Sequence, residues 1–276
     1  MAEEIKFGVI DSPIDVRDYK LAVDKAQVFP DTFELPMVRI KSQGAVGSCV
    51  AHSLSEVVEY YNKKQLNKST EQSIVYIYGN RRNSVHKGDG MITRDALSNM
   101  LKYGDVDKTK CPGNYEVPEA IDRFEAVADS LIEVGCKSRF SAYYKLNTAA
   151  EIKAALMNHG PVVMTITWYD DMKVIDGVLT TEKKNKSGGH CMVIYGWNEK
   201  GWLVQNSWGK NWGVKGTCII PYDLQLKEVW GVTDEIVEDD VNPSDIILPF
   251  SSRIGELIAK LLNAILNCFR KLKGNK

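Results

Sequence analysis

A cysteine stands where a glycine-rich turn runs into a helical pattern. The turn reads QGAVGSC over residues 43–49, and Ser48 is a good N-cap residue, which would put Cys49 in the first helical turn. The dipole and free N–H groups of a helix N-terminus stabilise a thiolate, so we expect a lowered pKa for Cys49. Gln43 and the Cys49 backbone N–H could donate to a developing oxyanion. The segment predicts a nucleophilic thiol, with a buried structural cysteine as the alternative.

A histidine and an asparagine follow this cysteine in an informative order. His190 opens one β-rich run after two glycines, and Asn206 closes the next run. The order of Cys49, His190 and Asn206 is that of a Cys-His-Asn nucleophilic triad. His52 is an alternative base, but it lies one helical turn from Cys49, whereas a base must approach the thiol from across a cleft. We therefore expect His52 to pack between lobes or to line the cleft.

The remaining histidines and cysteines fit structural positions. His86 is expected in a surface loop and His159 at a helix C-terminus. Cys191 follows His190 on a strand, so its side chain points to the opposite face and into the core. Because the chain has no Cys-x-x-Cys pair, a metal site is not expected. The other thiols are read as core or surface positions: Cys111, Cys136 and Cys218.

The elements that must position the triad change in character along the chain. A helix beginning at Cys49 has an apolar face, and further helices are expected after residues 69–72, after Thr93 and over 149–158. From Pro161 onward the chain is β-rich. The strand-like runs are 161–168, 190–197, 202–208 and 217–222. A helical half followed by a strand-rich half predicts the α+β class with two lobes.

Four segments together resemble one family. They are QGAVGSC at 43–49, GDGMITRDAL at 88–97, GGHCMVIYGW at 188–197 and NSWGKNWG at 206–213. In this order they resemble the papain-like (C1-like) cysteine peptidases, and DVRDY at 15–19 is similar to the lead-in of leaderless bacterial and viral members. The resemblance implies a papain-like fold with a helical left lobe, a β-barrel right lobe and a cleft between them.

The resemblance also implies a role for each matching residue. Cys49 would be the nucleophile, His190 the general base and acid, and Asn206 the residue that orients the imidazole. Gln43 would line the oxyanion hole, and Trp208 would cover the hydrogen bond between histidine and asparagine. The implied substrate contacts are Gly90, Asp89, Met91, Gly189 and Trp208. No cofactor and no metal is implied.

The expected activity is hydrolysis of peptide bonds in a peptide or protein substrate through a thioester acyl-enzyme. One alternative keeps the site but uses an amine as the acceptor, which would make the protein a transpeptidase or processing enzyme. Another alternative is a non-catalytic binding or virion-associated protein. The balance of 35 basic and 36 acidic residues indicates no nucleic-acid partner.

The resemblance and the composition divide the chain into four parts. These are a lead-in at 1–30, a papain-like peptidase domain at 31–235, an acidic linker at 236–249 and an amphipathic helix at 250–276. The last segment has an apolar stripe at helical spacing with six basic residues and one acidic residue. We expect it to mediate self-association or contact with a membrane surface rather than catalysis.

The same features suggest a compartment. Residues 1–20 have no apolar stretch typical of a signal peptide. Val46 stands where secreted members of the resembling family usually have a cysteine, so the disulfide beside the nucleophile cannot form. We therefore expect a cytoplasmic location, with a virion or host-cell association as the alternative.

Overall fold

The chain divides into two units, Met1–Asp239 and Asp240–Lys276. The computed structural model describes residues 6–16, 18–19, 21, 26–86, 88–113, 131–136 and 138–233. The second unit, together with the predicted acidic linker and the predicted C-terminal helix, lies outside the described residues.

Helices dominate the first half of the described chain. They are α1 (Cys49–Leu66), α2 (Ile74–Gly79), α3 (Thr93–Tyr103) and α4 (Ile132–Gly135), with a 3₁₀ turn at Asn80–Asn83. The helix predicted after residues 69–72 is present, but its cap is Ser73, whose hydroxyl accepts the Tyr76 N–H at 3.1 Å. Residues 69–72 have the sequence pattern of a capping box, but the helix begins after Ser73 instead.

Helix α1 is buried on all its sides over most of its length. It packs against α2 and α3 on one side and against the strand-rich half on the other. Its predicted apolar face is buried, but so are polar side chains such as Glu56 and Glu59. Glu59 is satisfied by an ion pair with Lys41, with Nζ and Oε1 2.6 Å apart. This pair ties α1 to the segment that precedes Gln43.

Strands dominate the second half. A small parallel pair joins β1 (Val9–Ile10) to β3 (Met91–Ile92). Among the described residues, the large sheet has nine strands: eight follow one another in the order β4-β11-β5-β8-β9-β10-β7-β6, and β2 pairs with β8. Their bounds are β2 Phe33–Glu34, β4 Ala142–Lys145, β5 Val162–Tyr169, β6 Lys173–Ile175, β7 Val178–Thr180, β8 Lys186–Asn198, β9 Gly201–Gln205, β10 Thr217–Pro221 and β11 Glu228–Thr233.

One helix belongs to the strand-rich half. Helix α5 (Ala149–Asn158) has the predicted bounds, and a reciprocal capping box between Thr148 and Glu151 fixes its start. The predicted α+β class, with a helical lobe and a strand-rich lobe, is confirmed. No helix among the described residues is both long and apolar enough to cross a membrane.

The antiparallel pair β8–β9 sets the spacing of the predicted histidine and asparagine. His190 lies within β8, opposite Ile166 of β5, and Asn206 directly follows the last residue of β9. Because β8 and β9 are hydrogen-bonded neighbours, side chains 16 positions apart in sequence meet across these two central strands. Helix α1 packs against the same strand β8.

Candidate active site

Cys49 is the first residue of α1 and is fully buried. Its sulphur accepts hydrogen bonds from the backbone of Cys191 and of Gly8. Ser48 occupies the N-cap position, but its side chain makes no capping hydrogen bond. The Ser48 hydroxyl instead lies 3.3 Å from Nδ1 of His52. The predicted N-cap position of Ser48, with Cys49 in the first helical turn, is confirmed.

The thiol is held in its neutral form. Burial raises the pKa of Cys49 to about 11, although the backbone hydrogen bonds from Cys191 and Gly8 oppose this shift. The prediction of a lowered pKa is therefore wrong for this conformation. The physical reason is that residues 6–9 cover the N-terminus of α1 and exclude the water that would solvate a thiolate.

His190 and Asn206 form a buried pair. Nε2 of His190 lies 2.8 Å from Oδ1 of Asn206, which also accepts the Ser207 N–H at 2.7 Å. Since Oδ1 can only accept, the imidazole proton sits on Nε2. Nδ1 is buried and has no hydrogen-bond partner among the described residues, so it can receive a proton. Burial lowers the pKa of His190 to about 4, and the bond to Asn206 opposes that change.

Aromatic rings shield this pair from water. The Trp208 ring stacks on the imidazole of His190, with centroids 4.5 Å apart and an interplanar angle of 28°. Trp168 approaches the same imidazole edge-on at 5.4 Å and packs against Trp208 at 4.6 Å. Sequence reasoning did not single out Trp168, because its position in a β-rich run is equally typical of core packing.

Gln43 is oriented by its contact with Ser207. The Ser207 hydroxyl donates to Oε1 of the Gln43 side chain at 2.7 Å. The backbone N–H of Gln43 donates to the Ser207 carbonyl at 2.8 Å. With Oε1 engaged, the Nε2 group faces the other way and donates to the carbonyls of Val46 and Lys6, both at 2.9 Å. Nε2 can therefore bind an oxygen placed where the Lys6 carbonyl lies.

Several of the residues predicted to bind substrate lie beside one extended segment of the chain, residues 6–10. The Met91 N–H donates to the Gly8 carbonyl at 2.7 Å. Gly90 has a φ of +88°, which a residue with a side chain adopts rarely, and a Cβ there would lie 2.5 Å from the Gly8 oxygen. A Cβ at Gly189 would lie 2.9 Å from Val9. These positions border the cleft.

Asp89 differs from its neighbours because its side chain is half exposed. Its carboxylate lies 3.4 Å from Nζ of Lys6, at the rim of the cleft. An exposed pair of this kind contributes little to stability.

The other histidines have structural positions. His52 is fully buried in α1, with Nδ1 2.9 Å from the Ser48 carbonyl, and burial lowers the pKa of His52 to about 3. His159 is the C-cap residue of α5, as predicted. His86 is exposed, with Nε2 2.9 Å from the Asp89 carbonyl. Neither His86 nor His159 belongs to the buried cluster.

The five described cysteines are free thiols, and all are buried. Cys191 is fully buried and adds a backbone hydrogen bond to the Cys49 sulphur. The structure thus brings His190, Asn206, Gln43 and Trp208 into one cluster. Cys49 is connected to that cluster by its contact with the backbone of Cys191, the residue that follows His190.

Residues 30–236 match the family described as papain family cysteine protease. An uncharacterized peptidase C1-like protein of Acanthamoeba polyphaga mimivirus is 26% identical over 300 residues, which cover 91% of this chain and 96% of that protein. A cathepsin B-like cysteine proteinase of Caenorhabditis elegans is 30% identical over 120 residues, 41% of this chain and 36% of that protein.

Two solved structures share the fold. Xylellain, a cysteine protease from Xylella fastidiosa, superposes with a TM-score of 0.72 at 20% identity and covers 84% of this chain and 97% of its own. Procathepsin B from Trypanosoma congolense superposes with a TM-score of 0.67 at 17% identity, covering 84% of this chain and 87% of its own. With the family match over most of its length, the chain belongs to the papain family of cysteine proteases and is a cysteine peptidase.

Proposed function

We propose that Cys49 is the nucleophile that cleaves the peptide bond and that His190 is its general base and acid. Nδ1 of His190 takes the thiol proton, and the sulphur attacks the carbonyl carbon of the substrate. Asn206 holds the ring by accepting the Nε2 proton in a hydrogen bond. The observation that carries the proposal is the buried contact between Nε2 of His190 and Oδ1 of Asn206, which leaves Nδ1 as a proton acceptor.

The reaction then has two halves. The tetrahedral oxyanion is held by Nε2 of Gln43 and the Cys49 backbone N–H, and it collapses with cleavage of the C–N bond. His190 gives its proton to the leaving amine, so a thioester joins Cys49 to the acyl group. Water, deprotonated by His190, attacks the thioester carbon, and the thiol leaves with the acid as product. Neither half needs a cofactor.

Proton transfer from thiol to imidazole is unfavourable in the described conformation. The pKa values of about 11 for Cys49 and about 4 for His190 favour the neutral pair. Both shifts come from burial, to which residues 6–9 contribute together with the rings of Trp168 and Trp208. The reactive ion pair therefore requires water or substrate in place of that segment.

Contacts along residues 6–10 support the proposed substrate-binding residues. Met91 would donate its N–H to the substrate backbone, as it does to the Gly8 carbonyl. Gly90 and Gly189 leave room for a peptide to approach closely, and Asp89 would face substrate at the rim. Trp208 would border the substrate near the imidazole.

The test is selective alkylation of the full chain. At low iodoacetamide, one equivalent is expected to label Cys49 once the cleft opens, and labelling is expected to vanish in Cys49→Ala. The control is Cys218→Ala, since Cys218 is buried in the sheet. A fluorogenic peptide library measures hydrolysis by the same preparation. Equal labelling at Cys111 or Cys218, or full hydrolysis by Cys49→Ala, would contradict the assignment.

We also propose a reducing compartment, the cytoplasm or alternatively a virion or host cell. Val46, in the position where secreted relatives usually have a cysteine, supports it. Intact mass measured with and without reductant tests it, because a native disulfide would add two hydrogens on reduction.

Residues 250–276 are proposed to associate with a second copy or with an anionic membrane surface. The support is the apolar stripe and the basic end of the sequence alone. Deleting residues 246–276 is expected to change the oligomer size or the binding to anionic vesicles, while hydrolysis persists.

A further inference from the structure

A buried tyrosine and a buried arginine lie next to residues 88–91, hereafter the binding loop, which carries three of the proposed substrate contacts. Tyr78 of α2 is fully buried, and Arg81 of the following 3₁₀ turn is 1% exposed. The guanidinium carbon of Arg81 lies 3.9 Å from the centroid of the Tyr78 ring. A guanidinium stacked on an aromatic face is held in one plane, so its N–H groups point in fixed directions. The proposed catalytic steps use neither side chain.

Arg81 holds the first residue of the binding loop. Its Nε donates to the Gly88 carbonyl at 3.0 Å, and its Nη1 donates to the Tyr78 carbonyl at 3.1 Å. Gly88 itself is exposed, so this bond joins a solvent-facing residue to a buried side chain. A lysine could not make both bonds while it stacks on Tyr78, because its single ammonium nitrogen lacks the planar fork of a guanidinium.

Tyr78 holds the binding loop at a second point. The Gly90 N–H donates to the Tyr78 hydroxyl at 3.0 Å, in a buried contact. The next N–H along the chain, that of Met91, donates instead to the Gly8 carbonyl at 2.7 Å, on the side of the cleft. Because the Gly90 N–H is engaged by Tyr78, the Met91 N–H is the one that remains for a peptide backbone. The hydroxyl of Tyr78 therefore helps to decide which donor the loop offers to the cleft.

The turn that carries Arg81 is fixed from both sides. Asn99 of α3 donates through Nδ2 to the Asn80 carbonyl at 2.9 Å and to the Ser84 hydroxyl at 3.0 Å. The side-chain N–H of Asn80 donates to the Tyr76 carbonyl of α2 at 3.2 Å. A support of this kind holds a binding group in place before substrate arrives, so less conformational freedom is lost on binding.

We propose that Tyr78 and Arg81 are positioning residues for the binding loop, which they hold with the Met91 N–H turned toward the backbone of a bound peptide. The proposal rests on the proposed function of Met91 as a donor to substrate. Neither Tyr78 nor Arg81 touches the peptide, because each acts through the loop. The contact that they position is formed when the peptide binds and is kept during the reaction, so its loss weakens binding without slowing the chemical steps.

The test compares two full-chain variants with a matched control. Tyr78→Phe removes only the hydroxyl that accepts the Gly90 N–H, and Arg81→Lys removes the fork but keeps the charge. Tyr76→Phe is the control, since Tyr76 is an equally buried residue of α2 whose hydroxyl donates to the Tyr103 carbonyl at the end of α3. Values of kcat and KM are measured with fluorogenic peptides, and exchange of the Gly90 amide hydrogen is followed by NMR. Melting temperatures establish that each variant is folded.

Tyr78→Phe and Arg81→Lys are each expected to raise KM about fivefold with kcat unchanged, the effect of weakening one backbone hydrogen bond to substrate. Tyr78→Phe should also speed the exchange of the Gly90 amide, whereas Tyr76→Phe should change neither measurement. A KM within twofold of wild type in both folded variants, a loss confined to kcat, or an equal rise of KM in Tyr76→Phe would overturn the proposal.

Peptide binding without turnover separates this proposal from the proposed catalytic function. If the wild type hydrolyses no peptide, the proposed function fails, and the affinity of a fluorescein-labelled peptide for Cys49→Ala, with and without Tyr78→Phe, replaces KM. About fivefold weaker binding together with faster Gly90 exchange would support the positioning role. Equal affinity, or no detectable binding by Cys49→Ala, would overturn it. If one positioning variant fails to fold, the other decides, because each bond alone holds one point of the loop.

Discussion

Two groups of buried ionisable side chains include residues of α1, and they are buried in different ways. The cleft group, Cys49 and His190, is covered by residues 6–9. The interior group, Lys41, Glu56 and Glu59, is enclosed by α1 and the segments packed on it. The cleft group is covered by one short segment, residues 6–9, whereas the interior group is enclosed by the core of the domain.

The interior group has fixed partners. Nζ of Lys41 lies 2.6 Å from Oε1 of Glu59 and donates to the Ser55 hydroxyl at the same distance. Glu59 also accepts the Gln72 N–H at 2.9 Å. Glu56 has no such pairing, and burial raises its pKa to about 8 despite Lys41 and Gln205. The interior thus holds one satisfied ion pair and one carboxyl kept protonated near neutral pH.

The difference separates catalysis from stability. When a removable strand causes the burial, the charge states of the buried groups change once the strand leaves, and a reactive ion pair can form. When the core causes the burial, the charge states persist for as long as the protein is folded, so they act on the free energy of unfolding. Substitutions in the cleft group should therefore change rates more than stability, and those in the interior group the reverse.

The largest effect is expected at His190, the proposed general base. His190→Ala should lower kcat/KM about 10⁴-fold or more, because no other group in the cluster can take the thiol proton. Asn206→Ala should retain measurable turnover, since the role proposed for Asn206 is to position the ring and not to exchange the proton. Peptide hydrolysis and thermal unfolding are measured on the same samples. Equal losses of hydrolysis in the two variants, or a loss that thermal unfolding explains, would contradict the distinction between the cleft group and the interior group.

Gln43→Ala should have the next largest effect. Loss of one oxyanion donor costs about 3 kcal/mol in the activation barrier, so kcat should fall roughly 10²-fold. Alkylation of Cys49 forms no oxyanion and should not slow, and the lost contact with the Lys6 carbonyl should favour faster alkylation. Ser207→Ala, which removes only the hydroxyl that orients Gln43, should lose less activity. Unchanged hydrolysis in Gln43→Ala would place the oxyanion donors elsewhere.

The sequence was sufficient for features fixed by local chemistry. The helix predicted over 149–158 is α5 with those bounds, and the capping box that fixes its start lies within four residues, Thr148 to Glu151. The β-rich runs around His190 and Asn206 are confirmed as β8 and β9 because turns bound them on both sides. Features of this kind depend only on residues that are close together in the sequence.

Other features depended on contacts between distant segments. Ser48 lies at the N-cap as expected, but the contact of its hydroxyl with His52 could not be read from the turn alone. The lowered pKa of Cys49 was inferred from the helix N-terminus alone, whereas burial by a segment some 40 positions earlier decides the direction. The run Phe7-Gly8-Val9 is short and carries no motif. Only the close approach to Gly47 shows why position 8 is glycine.

The smallest effect is expected in the interior group, at Glu56. Its pKa of about 8 lies above the ordinary value of 4.5, so between these pH values the folded chain holds a proton that the unfolded chain releases. Stability of the wild type should therefore fall as pH rises from 4.5 to 8. Glu56→Gln cannot ionise, and it should be more stable than wild type by about 3 kcal/mol at pH 7, with the difference vanishing below pH 4.5. Urea unfolding at several pH values measures this, with exposed Glu199→Gln as the control.

Hydrolysis should be unaffected, because Glu56 contacts neither Cys49 nor His190. A stability difference that does not depend on pH would show that Glu56 is ionised in the folded chain. A loss of hydrolysis in Glu56→Gln would contradict the separation of the interior group from the cleft group.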